Sequence, residues 1–171
     1  MTNNNGILIG VVGFMGSGKD TVADMLIERG FIKDSFARTL KDAASALFGW
    51  DRDMLNGTTN ESRKWREQPD PYWAKETGNP NFTPRLALQL LGTEAIRETF
   101  AQDFWVSTVV KRWIDAGKPN TVITDCRFPN EINAIRKHGG QVIHVHRGDY
   151  PDWYPLLTRI NKKQHNDVDL V

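Results

Sequence analysis

One stretch, Gly13-Phe14-Met15-Gly16-Ser17-Gly18-Lys19, constrains this chain more than any other. It fits the spacing G-x-x-x-x-G-K and follows the run Ile7 to Val12, which is short, apolar and rich in β-branched residues. Such a run reads as a strand buried on both faces. From Lys19 onward the apolar residues change to helical spacing, Val22, Ala23, Leu26 and Ile27, and the pattern stops near Gly30. Strand, glycine loop and helix in direct succession are the context in which this spacing forms a phosphate cradle. Glycines let successive N–H groups converge on anionic oxygens, and the helix N-terminus adds about half a positive charge. Gly13, Gly16, Ser17, Gly18 and Lys19 are therefore the first candidate binding residues, with Lys19 reaching the outer phosphates of a nucleoside triphosphate.

The remaining chain repeats the alternation. Phe31 to Phe36 reads as a second strand and Leu40 to Phe48 as a helix stopped by Gly49. Asp51 to Phe82 is polar and rich in turn formers, with interleaved tryptophans, and reads as an insertion with mobile parts. Thr83-Pro84 is a helix start leading into a helix from Arg85 to Phe100. A helix at 103–116, a strand at 121–125, a helix at 130–138 and a strand at 141–146 follow; a helix at 154–161 and a terminal strand at 167–171 close the chain. Alternating strands and helices imply an α/β fold with a parallel sheet covered on both faces.

Composition narrows the function classes. The chain has 171 residues, the size of one average domain. Lysines and arginines number 22 against 21 acidic residues, so a net charge of +1 gives no global field for holding nucleic acid, and any anion site is local. The single cysteine, Cys126, excludes an intrachain disulfide and fits a reducing compartment. No apolar run approaches the ~20 residues that cross a bilayer, and residues 1–5 lack the features of a secretory signal, so a cytoplasmic protein is expected.

After Lys19 stands Asp20, where Ser or Thr ordinarily ligates Mg²⁺; a carboxylate is also a hard oxygen ligand, and Thr21 can donate to a phosphate oxygen. Asp125 ends the strand at 121–125, at the sheet edge where open α/β folds bind ligands, and reads either as a second metal-side carboxylate or as a helix cap. Arg127 follows it, suited to pair with phosphate, or simply a surface arginine. Arg63-Lys64-Trp65-Arg66, with Tyr72 and Trp73, combines positive charge and stacking surface, as a nucleotide gate or as an ordinary amphipathic insertion. His144 and His146 lack the further ligands of a metal site and read as packing residues.

Gly16-Ser17-Gly18-Lys19-Asp20-Thr21-Val22-Ala23, Leu90-Leu91-Gly92-Thr93-Glu94 with Arg97, Trp105, and Asp125-Cys126-Arg127-Phe128-Pro129-Asn130-Glu131 together resemble the phage-type deoxynucleoside monophosphate kinases. The resemblance runs from about Ile7 to Tyr150, and the Lys-Asp-Thr ending of the loop is typical of that family. It implies a P-loop kinase fold: a five-stranded parallel sheet in a single domain over 1–171, a helical acceptor-binding insertion at 51–100 and a lid at about 147–165. The implied reaction moves the γ-phosphoryl group of ATP onto a deoxynucleoside 5′-monophosphate, with Mg²⁺ as cofactor. Lys19, Arg127 and Asp125 are then catalytic candidates, and Asp20 and Asp125 metal-side candidates. Arg85 and Gln89 lie four apart on one helix face, with Arg97 roughly in line, so all three are acceptor-binding candidates. Phe36 and Lys41 join them because the family places acceptor contacts after its second strand. Arg147, Arg159, Lys162 and Lys163 fall where related kinases have a lid. His165-Asn166-Asp167-Val168 departs from the late His-x-Ser-Glu segment of relatives, and the chain stops at Val171 where relatives usually continue. A homodimer is compatible with the family; membrane attachment and stable nucleic-acid binding are not expected. Two other readings stay open: a P-loop kinase for another small metabolite of the dephospho-coenzyme A kind, and a nucleotide-gated binding module.

Overall fold

The computed structural model describes residues 6–14 and 16–147. Among them four strands form one parallel sheet: β1 (Leu8–Val12), β2 (Ile32–Asp34), β3 (Thr121–Cys126) and β4 (Gln141–His144), in the order β2-β3-β1-β4. Parallel pairing puts the carboxyl ends of all four strands on one edge, so the loops after β1, β2, β3 and β4 cluster there. The chain leaves β1 toward β2 on one side and reaches β4 on the other, which makes the β1/β3 edge the crevice of the sheet. Against the expected five strands, the sheet has four among the described residues; the helix at 154–161, the strand at 167–171 and the lid cations Arg159, Lys162 and Lys163 lie outside them.

Alternating side chains give each strand two buried faces. Ile9 and Val11 of β1 and Val122 of β3 pack with Ala23 of α1 (Lys19–Ile27) on one side. Leu8 and Ile123 face the other way, onto Val106, Val109 and Trp113 of α6 (Phe104–Asp115) and Ile135 of α7 (Pro129–Lys137). Continuous apolar strands are therefore explained by helices on both faces. No helix of the described residues is long and apolar enough to cross a membrane.

A second core lies between α2 (Ala37–Phe48) and the insertion. The turn-rich segment after Asp51, expected to be a helical insertion with mobile parts, contains a 3₁₀ turn (Met54–Asn56), α3 (Asn60–Arg66) and α4 (Pro71–Thr77), followed by α5 (Pro84–Leu90). Its polar residues are largely caps: Thr59 accepts from Ser62 N–H at 3.1 Å, and Thr83 from Leu86 N–H at 3.1 Å. Its tryptophans are core. Phe48 stacks on Trp50 with centroids 4.4 Å apart, Trp73 meets Phe48 edge-on at 5.1 Å, and Trp65 meets Trp50 at 6.0 Å. Trp73 Nε1 donates to Phe48 O at 2.9 Å, which fixes this ring structurally and not as a gate.

Asp70 ties α4 to this cluster. It accepts from Tyr72 and Trp73 N–H, both at 3.0 Å, and from Trp50 Nε1 at 2.7 Å. Burial pushes its carboxyl up, but the bonds from Trp73, Trp50 and Tyr72 outweigh burial and hold it below the ordinary aspartate range. A depressed carboxyl contributes stability above its unfolded pKa and loses it as pH falls through the folded one. Asp70→Ala is accordingly expected to cost about 1–2 kcal/mol at neutral pH in urea unfolding. The difference from wild type should shrink as pH falls toward 3; a constant difference would refute the ionic cap.

The helix expected from Arg85 to Phe100 breaks at Leu90 into a π-helical turn (Leu91–Ala95). Gly92 is the cause on two counts. A Cβ there would stand 2.9 Å from Leu40 Cδ2 of α2, and its carbonyl accepts from the buried Trp105 Nε1 at 2.7 Å. Close approach and an external donor draw the backbone out of the α ladder. Beyond this turn the helical register is lost, so Arg97 is not in line with Arg85 and Gln89.

Candidate functional site

The phosphate loop leaves β1 at Val12 and enters α1 at Lys19. Gly16 and Gly18 sit at φ 80° and 101°, backbone that only glycine adopts without strain, and the turn aims the N-terminus of α1 at the crevice. Lys19 Nζ donates to Gly13 O at 2.7 Å and Phe14 O at 2.6 Å, arching over the loop. Burial holds its ammonium below the ordinary lysine range, opposed by Asp20 and reinforced by Arg127. Ser17 is buried, and its hydroxyl makes no hydrogen bond among the described residues. An orphaned hydroxyl in a glycine-rich loop at the N-terminus of a helix suits an anionic oxygen, so the residues present fit a nucleotide phosphate chain. Asp20 and Thr21 are exposed on the first turn of α1, and Asp20 pairs with Lys33 of β2 at 3.5 Å.

Asp125 stands where the β1/β3 register slips: Gly10 pairs with Ile123 but Val12 with Cys126, leaving one extra residue on β3. Such an irregularity re-aims a side chain at a sheet edge. The carboxylate accepts Phe36 N–H at 2.8 Å and Ala37 N–H at 3.0 Å, capping α2 from another strand. Burial raises its pKa, against those two bonds and the nearby charges of Lys41 and Arg127. Arg112 of α6 holds the same β2–α2 turn from behind, donating to Asp34 Oδ1 at 2.9 Å, Asp34 Oδ2 at 3.1 Å, Ser35 O at 3.1 Å and the Thr39 hydroxyl. Among the described residues no group of three or more His, Cys, Asp or Glu could hold a metal alone. Any Mg²⁺ here would rely on ligand phosphates, with Asp20 and Asp125 as the carboxylates of this edge.

Arg127 is exposed at the head of the β3–α7 turn. Glu131, 3% exposed, accepts both Arg127 N–H at 2.7 Å and Phe128 N–H at 3.0 Å on one oxygen. Arg97 approaches its other oxygen at 3.9 Å and lies over the Phe128 ring at 4.9 Å.

A cationic group lines the α2 side. Lys41 is half-buried, 3.5 Å from Asn56 Oδ1; burial lowers its pKa, as do Arg52, Arg66 and Arg127, against Asp125. Arg66 packs its guanidinium against Gly57, donates a long bond to Leu55 O at 3.4 Å, and has its Nε buried without a partner among the described residues.

Of the residues singled out from sequence, Lys19, Arg127, Asp125 and Lys41 share one electrostatic neighbourhood. Phe36 is buried: its ring is 4% exposed within the main core, and its N–H donates to Asp125. Arg85 and Gln89 are exposed on α5, and Arg85 is engaged with Glu67 at 2.6 Å. His146 is exposed, with its ring 6.3 Å from that of His144. Sequence pattern does not single out Arg66, Glu131 or Arg112: Arg66 and Glu131 fall inside motifs that point to the site, whereas Arg112 and Asp34 are 78 positions apart and carry no joint pattern.

Residues 73–153 match the family model described as deoxynucleotide monophosphate kinase. That span begins well after the phosphate loop, so the two signals are independent. A protein of Acanthamoeba polyphaga mimivirus, "Putative deoxynucleotide monophosphate kinase", is 32% identical over 96% of this chain and 88% of its own length. The "Deoxynucleoside-5'-monophosphate kinase" of Escherichia phage T5 is 26% identical over 77% of this chain and 72% of its own. Neither carries the name of a different metabolite kinase or of a non-catalytic module. With a nucleotide-type phosphate loop facing a cationic crevice and a relative matched almost end to end, this chain belongs to the deoxynucleotide monophosphate kinase family.

Proposed function

We propose that this chain transfers the γ-phosphoryl group of ATP to the 5′-phosphate of a deoxynucleoside monophosphate, releasing ADP and the deoxynucleoside diphosphate. One arrangement supports the reading: the phosphate loop after β1 and the start of α2, capped by Asp125 of β3, lie on one edge of the parallel sheet, with Arg127 near enough to act on both Lys19 and Lys41. A donor site and an acceptor site for two anions, bridged by a mobile-length arginine side chain, are what phosphoryl transfer requires.

Lys19 exchanges the loop carbonyls of Gly13 and Phe14 for donor phosphate oxygens, while Ser17 and the loop N–H groups hold the chain of phosphates. Lys41 and Arg66 take the acceptor phosphate, and Arg127 stands between the two. Mg²⁺, when bound, offsets phosphate charge on the donor side, near Asp20 and Asp125. The acceptor phosphate is already nucleophilic, so no side chain serves as general base. Residues 51–100 act as an acceptor-binding insertion within one kinase domain.

ADP formation from ATP and Mg²⁺, measured with each deoxynucleoside monophosphate in turn and without acceptor, tests the reading. Turnover with at least one acceptor is expected; silence across the panel with ATP still bound would overturn it. Arg66→Ala is expected to raise the acceptor KM about tenfold or more with little change for ATP. Arg85→Ala, which loses only an exposed ion pair, is expected to stay within about twofold. The opposite ranking would return the acceptor phosphate to α5.

A further inference from the structure

The β3–α7 turn holds more than its helix requires. In an ordinary capping box the third helical residue accepts the N–H of the N-cap residue, here Phe128, and stops there. Glu131 reaches one residue further back, and the shorter of its two bonds, 2.7 Å, is to Arg127 N–H. The carboxylate is buried, so those bonds are made where water does not compete, and burial raises its pKa ahead of every other influence. Its charge is matched from across the turn by Arg97, which stands beyond the π-helical turn at the end of the insertion and also covers the Phe128 ring. Asn130 Nδ2 adds a bond to Asp103 Oδ1 at 2.8 Å. The backbone bearing Arg127 is thus gripped from the segment that ends the acceptor insertion.

We infer that Glu131 is a positioning residue that fixes Arg127 for transfer, and that Arg97 acts on the reaction through Glu131 and Phe128 rather than by touching the acceptor. This rests on the phosphoryl-transfer reading above. A guanidinium stabilises developing charge only at the right place, and a displacement of about 1 Å can cost on the order of 100-fold in rate. Glu131 Oε2 restrains the chain one bond from the Arg127 Cα, which leaves the side chain to span only the last stretch to the transferring group.

Kinetics of wild type, Glu131→Leu, Arg127→Ala and the double variant test this; leucine removes both acceptor oxygens, whereas glutamine would keep one. Glu131→Leu is expected to lower kcat about 10-fold or more with the ATP KM within about twofold, whereas in the Arg127→Ala background the same substitution changes kcat less than about twofold. Equal losses in both backgrounds would overturn the inference. Amide exchange of Arg127 and Phe128 is expected to quicken about tenfold in Glu131→Leu while Leu8 in the sheet is unchanged; unchanged exchange at both turn residues would also overturn it. Should Glu131→Leu lack a cooperative melt, Glu131→Asp, which keeps the charge but shortens the reach, enters the same cycle. Arg97→Met is expected to lower kcat and leave the acceptor KM within about twofold; a raised acceptor KM at unchanged kcat would make Arg97 a direct acceptor contact. Wild type without acceptor-dependent turnover overturns both this inference and the proposed function, while active wild type with additive losses overturns this one alone.

Discussion

Lys19→Ala is expected to lower turnover by about 10³-fold while the fold melts within a few degrees of wild type. The ammonium is the one side-chain cation rooted in the phosphate loop, and it is held over that loop by two carbonyls, not by a carboxylate that would have to release it. Burial already holds its pKa below the lysine range, with Arg127 adding to that effect, so the charge sits where anionic oxygens would be welcome. Removing a donor aimed at transferring oxygens typically costs 10²- to 10³-fold, and in the proposed reaction Lys19 would serve both the outer phosphates and the shifting charge. The structural loss is two partly solvated hydrogen bonds, about 1 kcal/mol in sum. ADP formation and a thermal melt on the same preparation measure both quantities. Near-normal turnover would remove the loop from the chemistry; a collapse of the fold would make Lys19 a structural residue first.

The second large effect is expected at Asp125. Asp125→Ala strands the N–H groups of Phe36 and Ala37 at the start of α2, a helix whose own N-cap side chain makes no bond. Loss of one cap costs about 1 kcal/mol, and two partly buried donors without an acceptor bring the expected loss to about 2–3 kcal/mol. Asp125→Asn keeps one acceptor oxygen and is expected to recover about half. Turnover should fall in both variants, because the β2–α2 turn sets the position of Lys41 one helical turn further on. Urea unfolding and initial rates give the two readouts. If Asp125→Ala lost activity with stability unchanged, the metal-side role would outrank the cap; if Asp125→Asn retained activity, the cap would outrank the metal.

Legibility followed the range of each interaction. The loop spacing, its flanking strand and helix, and the caps at Thr83-Pro84 are all set within a few residues and could be read directly. Alternation of strand and helix carried the parallel sheet and the helices on both faces, since each long apolar strand needs cover on two sides. The helices of the insertion after Asp51 have no legible bounds in sequence because capping residues and turn residues are the same amino acids; Trp65 and Trp73 between them, which read equally as a nucleotide gate or an amphipathic insertion, pack against the second core. The helix through Arg97 misled because periodicity assumes a constant register, and Gly92 breaks it through contacts with Leu40 and Trp105 that no local pattern announces.

By itself the sequence determined where the phosphate loop forms, because a glycine-rich turn between strand and helix is set by its own residues, whatever surrounds it. It likewise placed Asp125 and Arg127 at a strand end on the reacting edge. Tertiary structure alone decided what those residues hold. Asp125 serves a helix 88 positions away, Arg112 pins a turn 78 away, and Glu131 meets an arginine from beyond the π-helical turn. Hydrogen bonds of a few ångströms between distant segments depend on how strands order in the sheet and how helices lie on it. Those arrangements are fixed by packing the whole core, and one stretch of residues contains only its own half of each contact.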